Sequence, residues 1–292
     1  MKPLSPQREG ELFIGMGTIL WSLFPIVTVL SFSSLPPLLS LSGSSFFAAL
    51  FFGTVVVIKK EWGQLRNRKA LGDILLATLI LGVLYYVFYF SGLRSTSPGN
   101  ASIIALTEIF FSFVFFHVWN KEWIPPKHVV GALLMVCGAG IVLYPNIHGI
   151  HIGDMLIVSA SLIAPLGNFF QRRARLTVSS STILFIRSLI AGIFTFILAS
   201  LFHQSASILQ LNSSMIFLAI NGLIILGFSK LLWVEAIHRI SVTKGNALSA
   251  ISPLLTLLFA WIFLHQHATH YQLLSIIPMI IGVRLLSAKE KE

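Results

Sequence analysis

The sequence predicts an all-α integral membrane fold: ten transmembrane helices arranged as two inverted five-helix repeats, with both termini in the cytoplasm. Three observations predict it. Of 292 residues, 55% are hydrophobic and only 10% are charged, against about 25% charged in an average soluble domain. Ten apolar runs recur along the chain, each near the ~20 residues that cross about 30 Å of hydrocarbon. The segments between them are too short for a soluble domain of about 50 residues or more. Finally, the basic residues segregate. Lys2 and Arg8, then Lys59, Lys60, Arg66, Arg68 and Lys69, then Lys121 and Lys127, then Arg172, Arg173 and Arg175, then Arg239 and Lys244, and finally Arg284, Lys289 and Lys291 all fall on one side. The opposite side carries Arg94, and the positive-inside rule turns this asymmetry into an orientation.

The net charge of +10 does not point to nucleic acid, because a nucleic-acid protein presents its basic face on a soluble fold. The single cysteine, Cys137, lies within an apolar run, excludes an intramolecular disulfide and is read as packing. Lys2 and Arg8 before an apolar run imitate a secretory signal, but the run is long and lacks a small-residue cleavage site. It is read as the first span.

The spans follow in order. The first, 12 to 32, contains Trp21 near mid-depth and Pro25. The second, 37 to 58, carries the small hydroxyls of Ser40, Ser42, Ser44 and Ser45, which let helices pack closely or bond across helices. The third, 71 to 93, ends in an aromatic run with Tyr85, Tyr86 and Tyr89. Ser97-Pro98 then opens the fourth, 99 to 119, as a capped start with proline at the first helical position; this span carries Glu108. The fifth is 128 to 144. In the sixth, 153 to 170, Pro165 lies at the depth of Pro25, and Asn168 and Gln171 follow it closely. The seventh, 182 to 202, and the eighth, 213 to 237, contain Arg187 and Lys230, both within snorkelling reach of the cytoplasmic interface. The ninth, 245 to 264, holds Pro253, and the tenth is 271 to 287.

Echoes divide the chain into residues 1–146 and 147–292. Gly99-Asn100-Ala101 is answered by Gly245-Asn246-Ala247, Pro25 by Pro165, and Gly140 by Gly282. An odd number of spans per repeat inverts the second copy, a pattern typical of secondary transporters. Prolines within spans remove a helical hydrogen bond and kink the helix. Pro25, Pro165 and Pro253 are therefore candidate kinks, whose freed backbone must face protein or a wet cavity.

Leu20-Trp21-Ser22, the Ser95-to-Ala101 turn, Leu106-Thr107-Glu108 leading to Asn120-Lys121-Glu122, Gly153-Asp154, Phe185-Ile186-Arg187 and Ala250 to Leu255 together resemble the drug/metabolite transporter superfamily, and within it the EamA-type ten-span proteins. The resemblance covers almost the whole chain. It implies a transporter of small metabolites, amino acids included, in a plasma (bacterial inner) membrane. The chain departs from the pattern at Ser44 and Ser45, where an arginine is usual, and at Gln266, where a glutamate is expected.

The substrate-binding candidates are Glu108, Trp21, Tyr85, Tyr86 and Asn168. An ionisable group near the midplane costs about 2.5 to 3.5 kcal/mol on insertion scales and faces the bundle interior. Glu108 therefore either binds a substrate amine or exchanges a proton for substrate, or it joins two helices as a hydrogen-bonded structural acid. Aromatic faces hold flat or cationic groups by stacking and cation–π contact; Tyr89 is assigned instead to the interfacial aromatic belt. His265, His267 and His270 form a spacing that suggests metal, but converging ligands with supporting partners are required, and no metal or cofactor is expected. Without a phosphate-binding loop, ATP hydrolysis is not expected. Small-molecule substrate, lipid and protons as a coupling ion are the expected partners. The alternatives, an integral-membrane enzyme or a receptor, would need convergent histidines and carboxylates or an added soluble region.

Overall fold

The computed structural model describes residues 5–120, 125–144, 151–237, 239–240, 245 and 248–286, with the backbone alone for 116–120. Among these residues there is no strand. Eight helices are long and apolar enough to cross a membrane, and two shorter apolar ones, Ser252–Leu264 and His270–Leu286, follow. Eight of the ten expected spans coincide with helices long enough to cross a membrane, and the stretches expected as the ninth and tenth hold the two shorter helices. The ninth differs most: Ala250 and Ile251 form a turn, and helix resumes at Ser252-Pro253.

Side-chain caps move several helix starts outward from the limits set by apolar runs. Ser5 accepts a hydrogen bond from the backbone of Arg8 and opens α1 (Pro6–Ser22). Asn67 accepts one from Lys69 and opens α4 (Arg68–Ala77). α2 (Phe24–Ser31) and α3 (Pro37–Ile58) lie between. Ser97 accepts from Asn100 N at 3.1 Å and opens α6 (Pro98–Ala105), as expected. In the eighth span a reciprocal capping box between Ser207 and Gln210 starts the helix at Ile208, five residues before the apolar run suggests.

Two spans contain a π-helical segment. Thr78–Leu84 separates α4 from α5 (Tyr85–Leu93). α7 (Thr107–Asn120), α8 (Pro126–Leu143), α9 (Ile152–Ala174) and α10 (Ser180–Leu201) follow. Ile220–Ser229 then separates α11 (Ile208–Ala219) from α12 (Lys230–Ile237). The chain closes with α13 (Ser252–Leu264) and α14 (His270–Leu286).

Of the proline kinks, Pro25 lies just beyond a helix break at Leu23 and Pro253 starts α13, whereas α9 continues without interruption through Pro165. At the Leu23 break the neighbouring helix supplies a donor, Thr256 Oγ1 to Ser22 O at 2.9 Å, so the backbone opened by proline is met by protein.

The most extensive pairings are α3 with α10 and α8 with α14. Both use small residues, which let backbones approach where lipid gives no hydrophobic drive to associate. A Cβ on Gly282 would lie 2.7 Å from Gly131 O, and one on Gly131 would lie 3.0 Å from Gly282 O. The close approach is therefore between Gly131 and Gly282, whereas Gly140 has nothing within 4 Å of its Cβ position. Ser42 Oγ donates to Gly192 O at 2.9 Å, and Asn221 Nδ2 donates to Thr28 Oγ1 at 3.1 Å and Ser44 Oγ at 3.3 Å. The second-span hydroxyls thus bond across helices. Large apolar side chains such as Leu50, Leu133 and Ile216 cover the outside, a surface suited to hydrocarbon. Cys137 is exposed there rather than packed.

Candidate functional site

The helix break at Leu106, where the Leu106 amide turns back to Ile103 O, makes Glu108 the second residue of α7. An acid in a first helical turn is favoured by the unpaired amides and the dipole. Its Oε1 accepts from Asn168 Nδ2 of α9 at 2.9 Å. Two of the expected cavity residues therefore meet.

An aromatic group lies within electrostatic reach of Glu108 through Tyr85 and Tyr86. Trp21 stacks on Phe24 with centroids 4.9 Å apart, Tyr86 meets Tyr85 edge-on at 5.1 Å and Phe24 at 6.0 Å. Tyr85 and Tyr86 are buried, and Trp21, Glu108 and Asn168 are half-buried. Tyr89 is 3% exposed and packs on Phe24 at 5.2 Å. The belt assignment for Tyr89 is corrected: the Tyr85–Tyr89 face of α5 turns into the bundle, where the two rings stack at 6.0 Å.

The larger correction concerns the two cations. Arg187 is 6% exposed, and its Nη1 donates to Gln171 Oε1 at 2.5 Å. Lys230 Nζ donates to Tyr86 Oη at 3.0 Å and lies 5.3 Å from the Trp21 ring centroid. Neither snorkels to an interface; both turn inward. Local backbone explains this. Lys230 directly follows the π segment Ile220–Ser229, and the stem of Arg187 passes Gly82 of the other π segment, where a Cβ would stand 3.0 Å from Arg187 Cγ. π segments frequently occur at functional sites. Tyr86 and Lys230 each lie within electrostatic reach of both Glu108 and Arg187.

The two ends of the bundle are tied by polar contacts. At one, Gln272 Nε2 donates to Asn100 Oδ1 at 2.7 Å and Ser97 Oγ at 3.1 Å, and the Thr96 hydroxyl donates to Asp154. At the other, Arg239 pairs with Glu235 at 2.9 Å and Glu9 at 3.3 Å, and Arg173 with Asp73 at 3.2 Å. A cleft of about 140 Å³ at that second end is lined by both signs of charge, including Lys59, Glu61, Arg175 and Glu235. Of the outer histidines, His265 ends α13 in a left-handed conformation, φ 54°. Among the described residues no group of three or more His, Cys, Asp and Glu side chains converges as a metal site would require. His148, Thr243 and Asn246 lie outside the described residues.

Long apolar helices around an interior that brings charged and aromatic side chains together define a multi-pass membrane protein with a polar centre. The chain is a member of the EamA-like transporter family, whose profile matches residues 8–144 and again 151–288. It is similar to "Uncharacterized transporter YoaV" of Bacillus subtilis (strain 168), 20% identical over 276 residues that cover 92% of this chain and 91% of that one. It is also similar to "Uncharacterized transporter YvbV" of the same organism, 21% identical over 298 residues, covering 100% and 95%. A solved crystal structure matches with a TM-score of 0.70 at 19% identity, covering 96% of each chain, and supports the fold. The protein is thus a multi-pass membrane transporter of small molecules.

Proposed function

We propose that the chain is a secondary transporter that exports amino acids or related amphipathic metabolites across the bacterial plasma membrane by alternating access. Its ten helices form two inverted repeats, 1–146 and 147–292, with both termini in the cytoplasm. The double match of the family profile supports the repeat. So do the pairing of second with seventh span and of fifth with tenth, and the π segments in the third and eighth.

The observations that carry the transport reading are the Glu108–Asn168 hydrogen bond and, within electrostatic reach of it, Lys230 against Tyr86 and Trp21. Aromatic faces suit a flat side chain, and intramembrane ionisable groups mark substrate and proton pathways. Glu108 holds the substrate amine or carries the coupling proton. The test is counterflow of a radiolabelled amino-acid panel in proteoliposomes, with and without a pH gradient, beside Glu108→Gln. Saturable exchange of one compound class is expected, and its dependence on the gradient should disappear in the variant. Exchange of no amino acid would overturn the substrate assignment.

A further inference from the structure

Among the described residues, two bases, Arg187 and Lys230, and one acid, Glu108, lie around Tyr86, whereas another acid, the buried Asp154, accepts from Thr96 at one end of the bundle. Arg187 stays protonated in proteins, so a charged Glu108 offsets at most one of Arg187 and Lys230. Among the described residues no carboxylate lies within 4.0 Å of either base. Their direct partners are neutral: Gln171 for Arg187, and the Tyr86 hydroxyl and Trp21 ring for Lys230. A desolvated cation without an opposite charge is costly, and breaking a buried pair costs more than making one gains. With Glu108 offsetting one of the two, the described residues leave the pair one counter-charge short, which an anionic ligand would supply. Lys230 is half-buried whereas Arg187 is buried, so a ligand would reach the pair from the Lys230 side.

We propose that Lys230 and Arg187 form the subsite for the carboxylate of the transported molecule, with its aromatic or apolar part against Trp21 and Tyr86. The inference rests on the transport reading above and adds the substrate class: organic acids and amino acids, not amines. Arg offers a planar fork that matches a carboxylate, and Lys a compact point charge. Both are placed by the two π segments, one preceding Lys230 and one clearing the Arg187 stem at Gly82. Glu108, bonded to Asn168, lies within electrostatic reach of Lys230. An amino-acid zwitterion thus meets cations for its carboxylate and an acid for its amine.

Binding to the purified full chain, followed by tryptophan fluorescence, tests this with four probes: phenylalanine, phenylpropionate, phenethylamine and phenylalanine amide. The two carboxylates should bind, and the two compounds lacking one should bind at least about tenfold more weakly, the scale of one charge-assisted hydrogen bond. Lys230→Met should weaken carboxylate binding by on the order of 10- to 100-fold, while Lys230→Arg retains most of it. Arg187→Gln provides a second variant should Lys230→Met fail to fold. Equal binding of acid and amide, or no binding of either carboxylate, overturns the subsite. Carboxylate binding with no counterflow supports the subsite and overturns the transport reading instead. Counterflow of amines and acids alike overturns the subsite and leaves transport standing.

Discussion

The Lys230 ammonium donates to the Tyr86 hydroxyl at 3.0 Å, joining the residue that follows one π-helical segment to the second residue beyond the other. An α-helix turns about 100° per residue, and a π turn inserts extra chain into it. All side chains beyond the insertion are therefore re-aimed. This is how a lysine and a tyrosine on two spans come to face each other across the bundle interior, although their helices are apolar on nearly every side.

Removing the acceptor tests that contact. Tyr86→Phe should lower stability by about 1 to 2 kcal/mol, the range for a hydrogen bond to a charged group less what remains of the interaction with the Trp21 ring. Thermal unfolding of the detergent-purified protein measures it. Because Tyr86 is buried and its ring also packs on Phe24 and Tyr85, expression should persist. A midpoint equal to that of the unaltered protein would show that the hydroxyl is not an acceptor for Lys230.

Glu108 and Asn168 should act as a unit. Asn168→Ala leaves the Glu108 carboxylate without its amide donor, and Glu108→Gln keeps the shape while removing the charge. Residues in direct contact show coupling energies of about 0.5 to 3 kcal/mol. The double variant Glu108→Gln/Asn168→Ala should consequently lose less transport than the product of the two single losses. Strictly multiplicative losses in proteoliposome uptake would mean that the hydrogen bond at 2.9 Å has no part in transport.

The close approach of α8 and α14 leads to a stability prediction. Gly282→Ala places a methyl 2.7 Å from Gly131 O. That atom is backbone and cannot turn aside as a flexible side chain could. The helices must separate, at about 1 to 3 kcal/mol for overpacking, whereas Gly140→Ala, with nothing within 4 Å, should cost nothing measurable. Comparing the two thermal midpoints decides it, and equal midpoints would remove the packing role of Gly282.

The apolar runs made most of the bundle legible, since length and hydropathy are one-dimensional properties. Ser97 announces a helix start through its own chemistry, while Pro25 and Pro253, read as kinks within spans, mark a helix break and a helix start. The break at Leu106 had no such signal, because Ile103 to Thr107 contains neither proline nor glycine. It is visible only in the hydrogen bonds. Glu108 and Asn168 could be named because polar groups in apolar runs are conspicuous, yet Arg187 and Lys230 were assigned to an interface from depth alone. Depth does not give rotation about a helix that is apolar nearly all round. The π segments set that rotation and have no marker in composition. Tyr89 was assigned to the belt for the same reason.

The tie at the end of the bundle that carries Gln272 should respond to a single change. Gln272 Nε2 is shared between Asn100 Oδ1 at 2.7 Å and Ser97 Oγ at 3.1 Å, and so fastens α14 to the first turn of α6. Gln272→Leu keeps the bulk but leaves both oxygens without this donor, and the closed arrangement loses two hydrogen bonds of about 0.5 to 1.5 kcal/mol each. If opening of this end is the step that exposes the interior, a population shift of that size raises the open fraction roughly fivefold or more. A cysteine placed at Ala101, fully buried near the start of α6, in a chain whose own exposed Cys137 is replaced by serine, reports the opening through its rate of maleimide labelling in detergent. Labelling several-fold faster with Gln272→Leu is expected. An unchanged rate would mean that the Thr96–Asp154 hydrogen bond and the packing of Gly92 on Gly153 hold this end closed without Gln272.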